Sequence, residues 1–256
     1  MMKKTIEVRG YELDRGGRIP SPTWLRWFEH QRWDATAGGA AIDLASLFDD
    51  GKRFVVRAQK LEILRGRLPH GEAVELSLWV SRVGRSSLDL SHSARRLRDG
   101  VEVARAAVVA VHLSADGVPT EVPAAMRALV EEGPSPRGAL LTERRPAAAV
   151  EVPLVVRPSD IDLRQHVNHA VYAQYFEDAR ATVREAGGFG PRRQSSFPTR
   201  ALAIDYAQEA RLGDALSVFT WALPNEPAIF GFDLMRAGGD KPIARGRLEV
   251  SELETD

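Results

Sequence analysis

Polar residues with catalytic potential are concentrated in one short stretch of the chain, SDIDLRQHVNHAVYAQYFEDAR, residues 159–180. The stretch contains Asp162, His166, Asn168 and His169 just ahead of an amphipathic pattern. A carboxylate can activate water or attack a carbonyl carbon, and an imidazole titrates near neutral pH and transfers protons. The first N–H groups and the dipole of a helix attract an oxygen atom that gains negative charge. These residues therefore suit hydrolysis of an activated acyl group, with Asn168 and His169 as candidate substrate-binding residues.

The same stretch predicts the helix that would carry this site. Val171, Tyr175 and Ala179 recur at helical spacing, and the predicted helix covers residues 168–186. Gly187 ends it, and the asparagine or the following histidine caps its start. From this stretch alone an alternative stays open, in which the acid and the asparagine only cap the helix and the first histidine is structural.

Other catalytic arrangements find no support in the sequence. His166 and His169 are three residues apart, but no third zinc ligand is evident. A GxSxG nucleophile motif is absent, and the chain has no cysteine, which excludes thiolate sites and disulfides. We therefore expect no metal and no organic cofactor.

The chain also carries an altered copy of this segment near its start, YELDRGGRIPSPTWLRWFEHQR, residues 11–32. When Asp14 is aligned with Asp162, an aromatic pair, a glutamate and an arginine on the next helix also coincide, but Arg18 replaces His166. Further matches follow in the same order: 71–79 with 213–221, and 103–105 with 243–245. We interpret the chain as two tandem copies of one unit, with the N-terminal copy as scaffold and the C-terminal copy as the catalytic one.

The predicted organisation follows from this duplication. An N-terminal unit covers 1–115 and a C-terminal unit covers 150–256, joined by a connector, 116–149, that contains a short helix. The helix of the first unit is predicted from Pro22 to Ala37, ending at Gly38-Gly39. Each unit otherwise alternates with period two, which is typical of strands. The predicted strands include 4–12, 53–65, 73–83, 86–98, 101–113 and 151–157. One helix with an antiparallel sheet, repeated twice, is an α+β design.

Charge and hydropathy exclude several classes of protein. Lys and Arg together number 35, as do Asp and Glu, and this balance argues against a nucleic-acid partner. No apolar run is long enough to span a membrane, and the N-terminus lacks the apolar core of a secretory signal. We expect a soluble, cytoplasmic protein.

With these residues in view, the chain resembles the double hot-dog acyl-ACP thioesterases, and more distantly the single-unit 4-hydroxybenzoyl-CoA thioesterases. The resemblance covers nearly the whole chain. SDIDLRQHVNHAVY is similar to the family's signature of aspartates, asparagine, His-Val-Asn and tyrosine. FVVRAQKLEILRGRLPHGEAVELSLWV is similar to the family's N-terminal half, and ALAIDYAQEARLGDAL to the family strand that ends in glutamate and cysteine. The resemblance implies a tandem hot-dog fold, in which each unit wraps an antiparallel sheet around a central helix.

The resemblance also implies site residues. Asp162 matches the family's loop aspartate, His166 its histidine, and Glu209 the glutamate in the second unit. Two positions depart from the pattern. Arg164 stands where the family has its catalytic asparagine, and Ala210 where it has a cysteine. A guanidinium does not replace an amide, so Arg164 would either bind an anionic group of the substrate or leave catalysis to Asp162.

The implied reaction is hydrolysis of an acyl thioester, with acyl carrier protein or coenzyme A as the carrier. Asp162 attacks the carbonyl or activates water, His166 and Glu209 orient water and relay protons, and the acyl chain lies between helix and sheet. The carrier is acidic or phosphorylated, so basic loops are expected to receive it. The candidates are the pairs Arg95-Arg96, Arg144-Arg145 and Arg192-Arg193. A role in fatty acid biosynthesis and a monomer or homodimer are expected.

Three alternatives remain. A hot-dog hydratase or dehydratase is disfavoured, because its histidine follows the aspartate by five residues, whereas His166 follows Asp162 by four. A non-catalytic protein that binds an acyl chain or its carrier remains open because of Arg164. An aromatic or polyketide thioester could also replace the fatty acyl substrate.

Overall fold

The computed structural model describes residues 1–37, 51–133, 142, 144–189 and 197–251. The chain forms two compact units that divide between residues 137 and 138. The unit bounds predicted from the sequence, with a connector over 116–149, stay a prediction. Among the described residues, the helices are too short or too polar to cross a membrane.

The first unit consists of one long helix and a five-stranded antiparallel sheet. In chain order its elements are β1 (Met2–Glu7), α1 (Ser21–Ala37), β2 (Arg53–Ile63), β3 (Ala73–Val83), β4 (Ser87–Arg96) and β5 (Glu102–Leu113). The strands lie in the order β1-β3-β4-β5-β2. Buried and partly exposed residues alternate along β5, as expected for a strand with one well-covered face.

The second unit repeats this design. Its elements are β6 (Val150–Val155), α2 (His169–Glu185), β7 (Thr199–Tyr206), β8 (Ala215–Leu223), β9 (Glu226–Arg236) and β10 (Pro242–Val250). The strands lie in the order β7-β10-β9-β8-β6, again with antiparallel neighbours. One helix and an antiparallel sheet in each unit confirm the predicted α+β class.

Each helix is fixed by aromatic packing against the sheet of its own unit. The Phe176 ring on α2 stacks on Phe232 of β9, with ring centroids 4.9 Å apart. Gly246 of β10 lies under the same ring, where an added Cβ would stand 2.4 Å from Phe176 Cε2. In the first unit Phe28 of α1 packs in the same way on His92 of β4, at 4.8 Å. Burial of each Phe side chain contributes about 1.5–3 kcal/mol. The packing fixes the helix axis and therefore the position of the helix N-terminus.

Residues near the predicted connector cover the other face of each sheet. In the first unit Gly133 lies on the Trp79 ring, where an added Cβ would stand 2.6 Å from Cε2 of the ring. In the second unit the Arg145 guanidinium lies 4.0 Å from the centre of the Phe219 ring. Each sheet therefore also makes at least one such contact on the face that points away from its helix.

One strand predicted from the sequence needs correction. The strand predicted over 4–12 ends at Glu7, and residues 10–12 form a 3-10 turn. This turn forms because the Glu12 carboxylate accepts hydrogen bonds from the Arg9 backbone N–H and from Trp27 Nε1, both at 2.9 Å. The short connector helix is a 3-10 helix, Ala124–Leu129. The predicted end of α1 at Gly38-Gly39 lies outside the described residues.

Candidate active site

The loop before α2 is shaped by hydrogen bonds to Asp162. Its Oδ1 accepts from the Arg164 backbone N–H at 2.8 Å. Its own N–H donates to the His166 carbonyl at 3.0 Å, and its carbonyl accepts from Gln165 N–H at 3.0 Å. Gln165 has a φ of 64°, a left-handed conformation that closes this turn. Asp162 is therefore held in place by the loop, with His166 four residues further on.

The first unit builds the same loop without the histidine. Asp14 Oδ1 accepts from Gly16 N–H at 2.8 Å, and Asp14 N–H donates to the Arg18 carbonyl at 2.8 Å. Gly17 takes the left-handed position, with a φ of 70°. The aspartate therefore has a turn-forming role in both copies, and the chemical difference between the loops is the imidazole of His166.

That imidazole is paired with a carboxylate from a distant part of the chain. His166 Nε2 lies 2.9 Å from Glu209 Oε2, with 28% of the histidine side chain and 48% of the glutamate side chain exposed. When the ionised carboxylate accepts a hydrogen bond from Nε2–H, Nδ1 of the neutral imidazole carries a lone pair. The pair can therefore take a proton from a water molecule at Nδ1 while Glu209 fixes the tautomer.

Glu209 is positioned by contacts on either side. The Arg236 guanidinium donates from Nη2 to the Glu209 carbonyl and to Asp214 Oδ2, each at 3.0 Å. Burial opposes ionisation of Asp214, but hydrogen bonds from Arg211 N–H and from Arg236 outweigh it and lower the pKa of Asp214. The carbonyl of Ala210, the residue after Glu209, accepts a hydrogen bond at 2.8 Å from the N–H of Val167 in the loop before α2. The glutamate therefore stays beside the loop that carries the histidine.

The start of α2 is capped by an asparagine. Asn168 Oδ1 accepts from Ala170 N–H at 2.9 Å, and the Asn168 carbonyl accepts from Val171 N–H at 2.9 Å. The Tyr206 hydroxyl donates to the His169 carbonyl at 2.8 Å. The capping role of Asn168 is confirmed. Asn168 therefore accepts two of the N–H groups at the helix start that the sequence analysis had suggested for a substrate carbonyl oxygen. The helix dipole still favours negative charge at this end.

A buried carboxylate that the sequence analysis did not single out supports the whole loop. Asp160 accepts hydrogen bonds at 2.8 Å from the Arg157 N–H and from the Tyr175 hydroxyl. Its carbonyl accepts from Asn168 N–H at 2.9 Å. Burial opposes its ionisation, but the Arg157 and Tyr175 hydrogen bonds outweigh it and lower the pKa of Asp160. Glu12 and Trp27 form the matching contact in the first unit, so comparison of the copies could have identified this network.

Two buried tyrosines beside the site remain protonated at neutral pH. Burial raises the pKa of Tyr172 to about 12. Burial, followed by the hydrogen bond to Asp160, raises the pKa of Tyr175 as well. Neither phenol is therefore suited to proton transfer near neutral pH. Within the described residues, no cluster of three or more His, Cys, Asp or Glu side chains could hold a metal ion.

Not all of the arginines suggested for carrier binding are available to a partner. Arg95 is exposed, but Arg96 is buried and paired with Asp99 at 2.7 Å, so it is not available to a partner. Arg145 packs on an aromatic ring. The pair at 192–193 lies outside the described residues.

Comparisons with known proteins agree with this picture. Residues 156–235 match the model of the thioesterase-like superfamily. A search of curated proteins found no match. An acyl-ACP thioesterase from Bacteroides thetaiotaomicron has a similar structure, with a TM-score of 0.81 and 18% identity over 98% of this chain and 97% of that one. The 12:0-ACP thioesterase from Umbellularia californica gives a TM-score of 0.78 and 16% identity, covering 98% and 96% of the two chains. The predicted tandem hot-dog fold and the resemblance to thioesterases are confirmed.

Proposed function

Because residues 156–235 match the thioesterase-like superfamily and the whole chain shares the fold of acyl-ACP thioesterases, we propose that this protein hydrolyses acyl thioesters to a free acid and a thiol. The observation that carries the proposal is the 2.9 Å contact between His166 and Glu209 beside the Asp162 loop. The N-terminal copy of the same loop lacks this pair, so loop geometry alone does not require it.

In the first form of the proposed reaction, water is the nucleophile that attacks the thioester carbonyl. Glu209 accepts a hydrogen bond from Nε2–H of His166, and Nδ1 of the imidazole takes a proton from water as the water adds to the thioester carbonyl, which leaves an imidazolium. The positive end of the α2 dipole favours the negative charge that develops on the carbonyl oxygen. The C–S bond then breaks, and the imidazolium returns its proton to the departing thiolate.

Asp162 has two possible roles in this scheme. Its Oδ1 accepts the Arg164 N–H, while Oδ2 accepts no hydrogen bond among the described residues. Oδ2 either binds and activates water or attacks the carbonyl to form an anhydride that water then hydrolyses. Hydrolysis in ¹⁸O-water distinguishes the two, because only the anhydride route places the label on the Asp162 carboxylate. Arg164 would face an anionic part of the substrate.

We further propose acyl carrier protein as the carrier, with coenzyme A as the second choice, and a cytoplasmic role in fatty acid biosynthesis. This choice is supported by the structural likeness to acyl-ACP thioesterases. Phe176 and Gly246 touch, so an acyl chain cannot pass between helix and sheet at that point. The chain must therefore bind elsewhere along the unit.

One observation favours a second candidate, a protein that binds an acyl chain or its carrier without cleaving it. Asp162 and Asp14 make matching turn hydrogen bonds, so the aspartate alone is not evidence of catalysis. Asparagine preserves this turn because its side-chain oxygen accepts the same N–H.

Thiol release from acyl-ACP and acyl-CoA substrates separates the two candidates. We expect Asp162→Asn to lower kcat by about 10²-fold or more, because general base catalysis contributes typically 10²–10⁴-fold. Asp14→Asn, the matched control, should leave turnover unchanged. Turnover by both variants at the wild-type rate would remove Asp162 from the mechanism. No thiol release by wild type, while the acyl thioester still binds, would favour the binding protein.

A further inference from the structure

The first unit places two arginines where the second unit has its imidazole and carboxylate. Arg18 occupies the loop position of His166, and its backbone forms an antiparallel bridge with Arg67. Residues directly opposite each other in such a bridge have Cβ atoms about 4.5–5.5 Å apart, so both side chains leave from the same side. Within the described part of the chain, neither guanidinium forms a hydrogen bond or an ion pair.

Such a pair is unfavourable unless an anion lies between the charges. Like charges on directly opposite strand positions destabilise the pairing. Arg18 is half-buried, which reduces the screening of its charge by water. By contrast, Arg105 of the same unit is paired with Glu62 at 2.7 Å. The unit therefore pairs one half-buried arginine with a carboxylate elsewhere, whereas half-buried Arg18 and exposed Arg67 stand opposite each other across the bridge.

The surrounding loop keeps the two guanidinium groups available. An added Cβ at Gly16 would stand 2.3 Å from Arg18 Nη1, so this glycine leaves the space in which the guanidinium lies. The nearby carboxylate of Asp14 already accepts N–H groups of the loop at 2.8 and 2.9 Å. The first turn of α1, which follows directly, contains no acidic residue. The helix dipole therefore adds to the positive potential.

We propose that Arg18 and Arg67 form an anion-binding site that takes a phosphate group. Guanidinium forks match the geometry of phosphate oxygens and bind them through paired hydrogen bonds. The phosphate can belong to a free anion or to a larger molecule such as coenzyme A. Binding at this site does not depend on thioester hydrolysis, so it can be tested without turnover.

Calorimetric titration at low salt tests the site with inorganic pyrophosphate, coenzyme A and phosphate-free adenosine. We expect the double variant Arg18→Gln with Arg67→Gln to weaken binding of a phosphate ligand at least tenfold. The control removes two exposed arginines of the same unit, Arg26→Gln with Arg85→Gln, and should bind like wild type. If the double variant weakens binding of pyrophosphate only, the ligand of the site is a free anion. If it weakens binding of coenzyme A only, the ligand is the larger molecule. Adenosine, which has no phosphate, should not bind.

Stability measurements guard against a folding artefact. Without phosphate, the Arg18→Gln and Arg67→Gln double variant should be at least as stable as wild type, because a like-charge pair is removed. Wild type that binds neither phosphate ligand overturns the proposal. Equal weakening in the control variant, or a marked loss of stability in the double variant without phosphate, also overturns it.

Discussion

Replacement of Tyr175 by Phe tests how the candidate site is held in place. The Tyr175 hydroxyl donates to Asp160 Oδ2 at 2.8 Å, and both side chains are buried. Asp160 in turn holds Asn168, the residue that caps α2. The substitution removes a single oxygen atom and leaves the aromatic ring in the core, so its effect reports on the hydrogen bond.

The expected cost follows from the charge of the acceptor. Hydrogen bonds to charged groups contribute about 1.5–3 kcal/mol, against about 0.5–1.5 kcal/mol for neutral pairs. Asp160 keeps the Arg157 N–H at 2.8 Å, so we expect a loss of about 2 kcal/mol at pH 7. Tyr206→Phe is the matched control, because its hydroxyl donates at 2.8 Å to an uncharged carbonyl. It should cost about 1 kcal/mol.

The pH dependence separates the two variants further. The pKa of Asp160 is lowered in the folded chain, so the stability that its ionisation contributes is complete above the unfolded value of about 3.9. It is lost as the pH falls through the lower folded value. Tyr175→Phe raises that folded value towards the unfolded one, so its deficit relative to wild type should shrink in acid. The Tyr206→Phe deficit should not change.

Urea denaturation followed by circular dichroism measures both effects. The midpoints of wild type and the two variants are compared at pH 7 and at the lowest pH at which wild type retains a folded baseline. A Tyr175→Phe deficit that is independent of pH, or no larger than that of Tyr206→Phe, would refute the assignment of Asp160 as a buried charged acceptor.

Three other substitutions test the site and the fold. Glu209→Gln should lower kcat about tenfold or more with little change in KM, since an uncharged amide no longer stabilises the imidazolium; an unchanged kcat in thiol-release assays would remove Glu209 from the mechanism. Asn168→Ala should cost about 1 kcal/mol in urea denaturation, and Asn168→Asp should recover most of it; equal stability of the two variants would argue against the cap. Gly246→Val should destabilise the second unit by about 1–3 kcal/mol or more, because its side chain meets the Phe176 ring; a thermal melting temperature equal to that of wild type would contradict this close approach.

Comparison of the two copies was the most informative part of the sequence. It aligned Asp14 with Asp162, and the structure shows matching hydrogen bonds in both loops. It also isolated His166 as a residue of one copy only. The same comparison applied to Asp160 and Glu12 would have identified the buried carboxylate, but a carboxylate near a helix start has no pattern that distinguishes burial from capping.

Local features were predictable because they depend on residues close together in the chain. Both long helices, the strand alternation and the Asn168 cap follow from side chains within one or two turns of each other. The strand predicted over 4–12 was wrong at its end, because Glu12 is held by Trp27, which belongs to the following helix. The family resemblance supplied Glu209, whose position no local pattern indicates.

The sequence by itself determined the duplication, the α+β class and the presence of Asp162 and His166 in one loop, since four residues of chain cannot separate them far. Tertiary structure decided which atoms meet. The contact of Glu209 with His166 requires β7 to end beside that loop, and Arg236 on β9 then fixes the glutamate backbone. Strand register and helix packing set these distances, and both depend on the whole core of the unit.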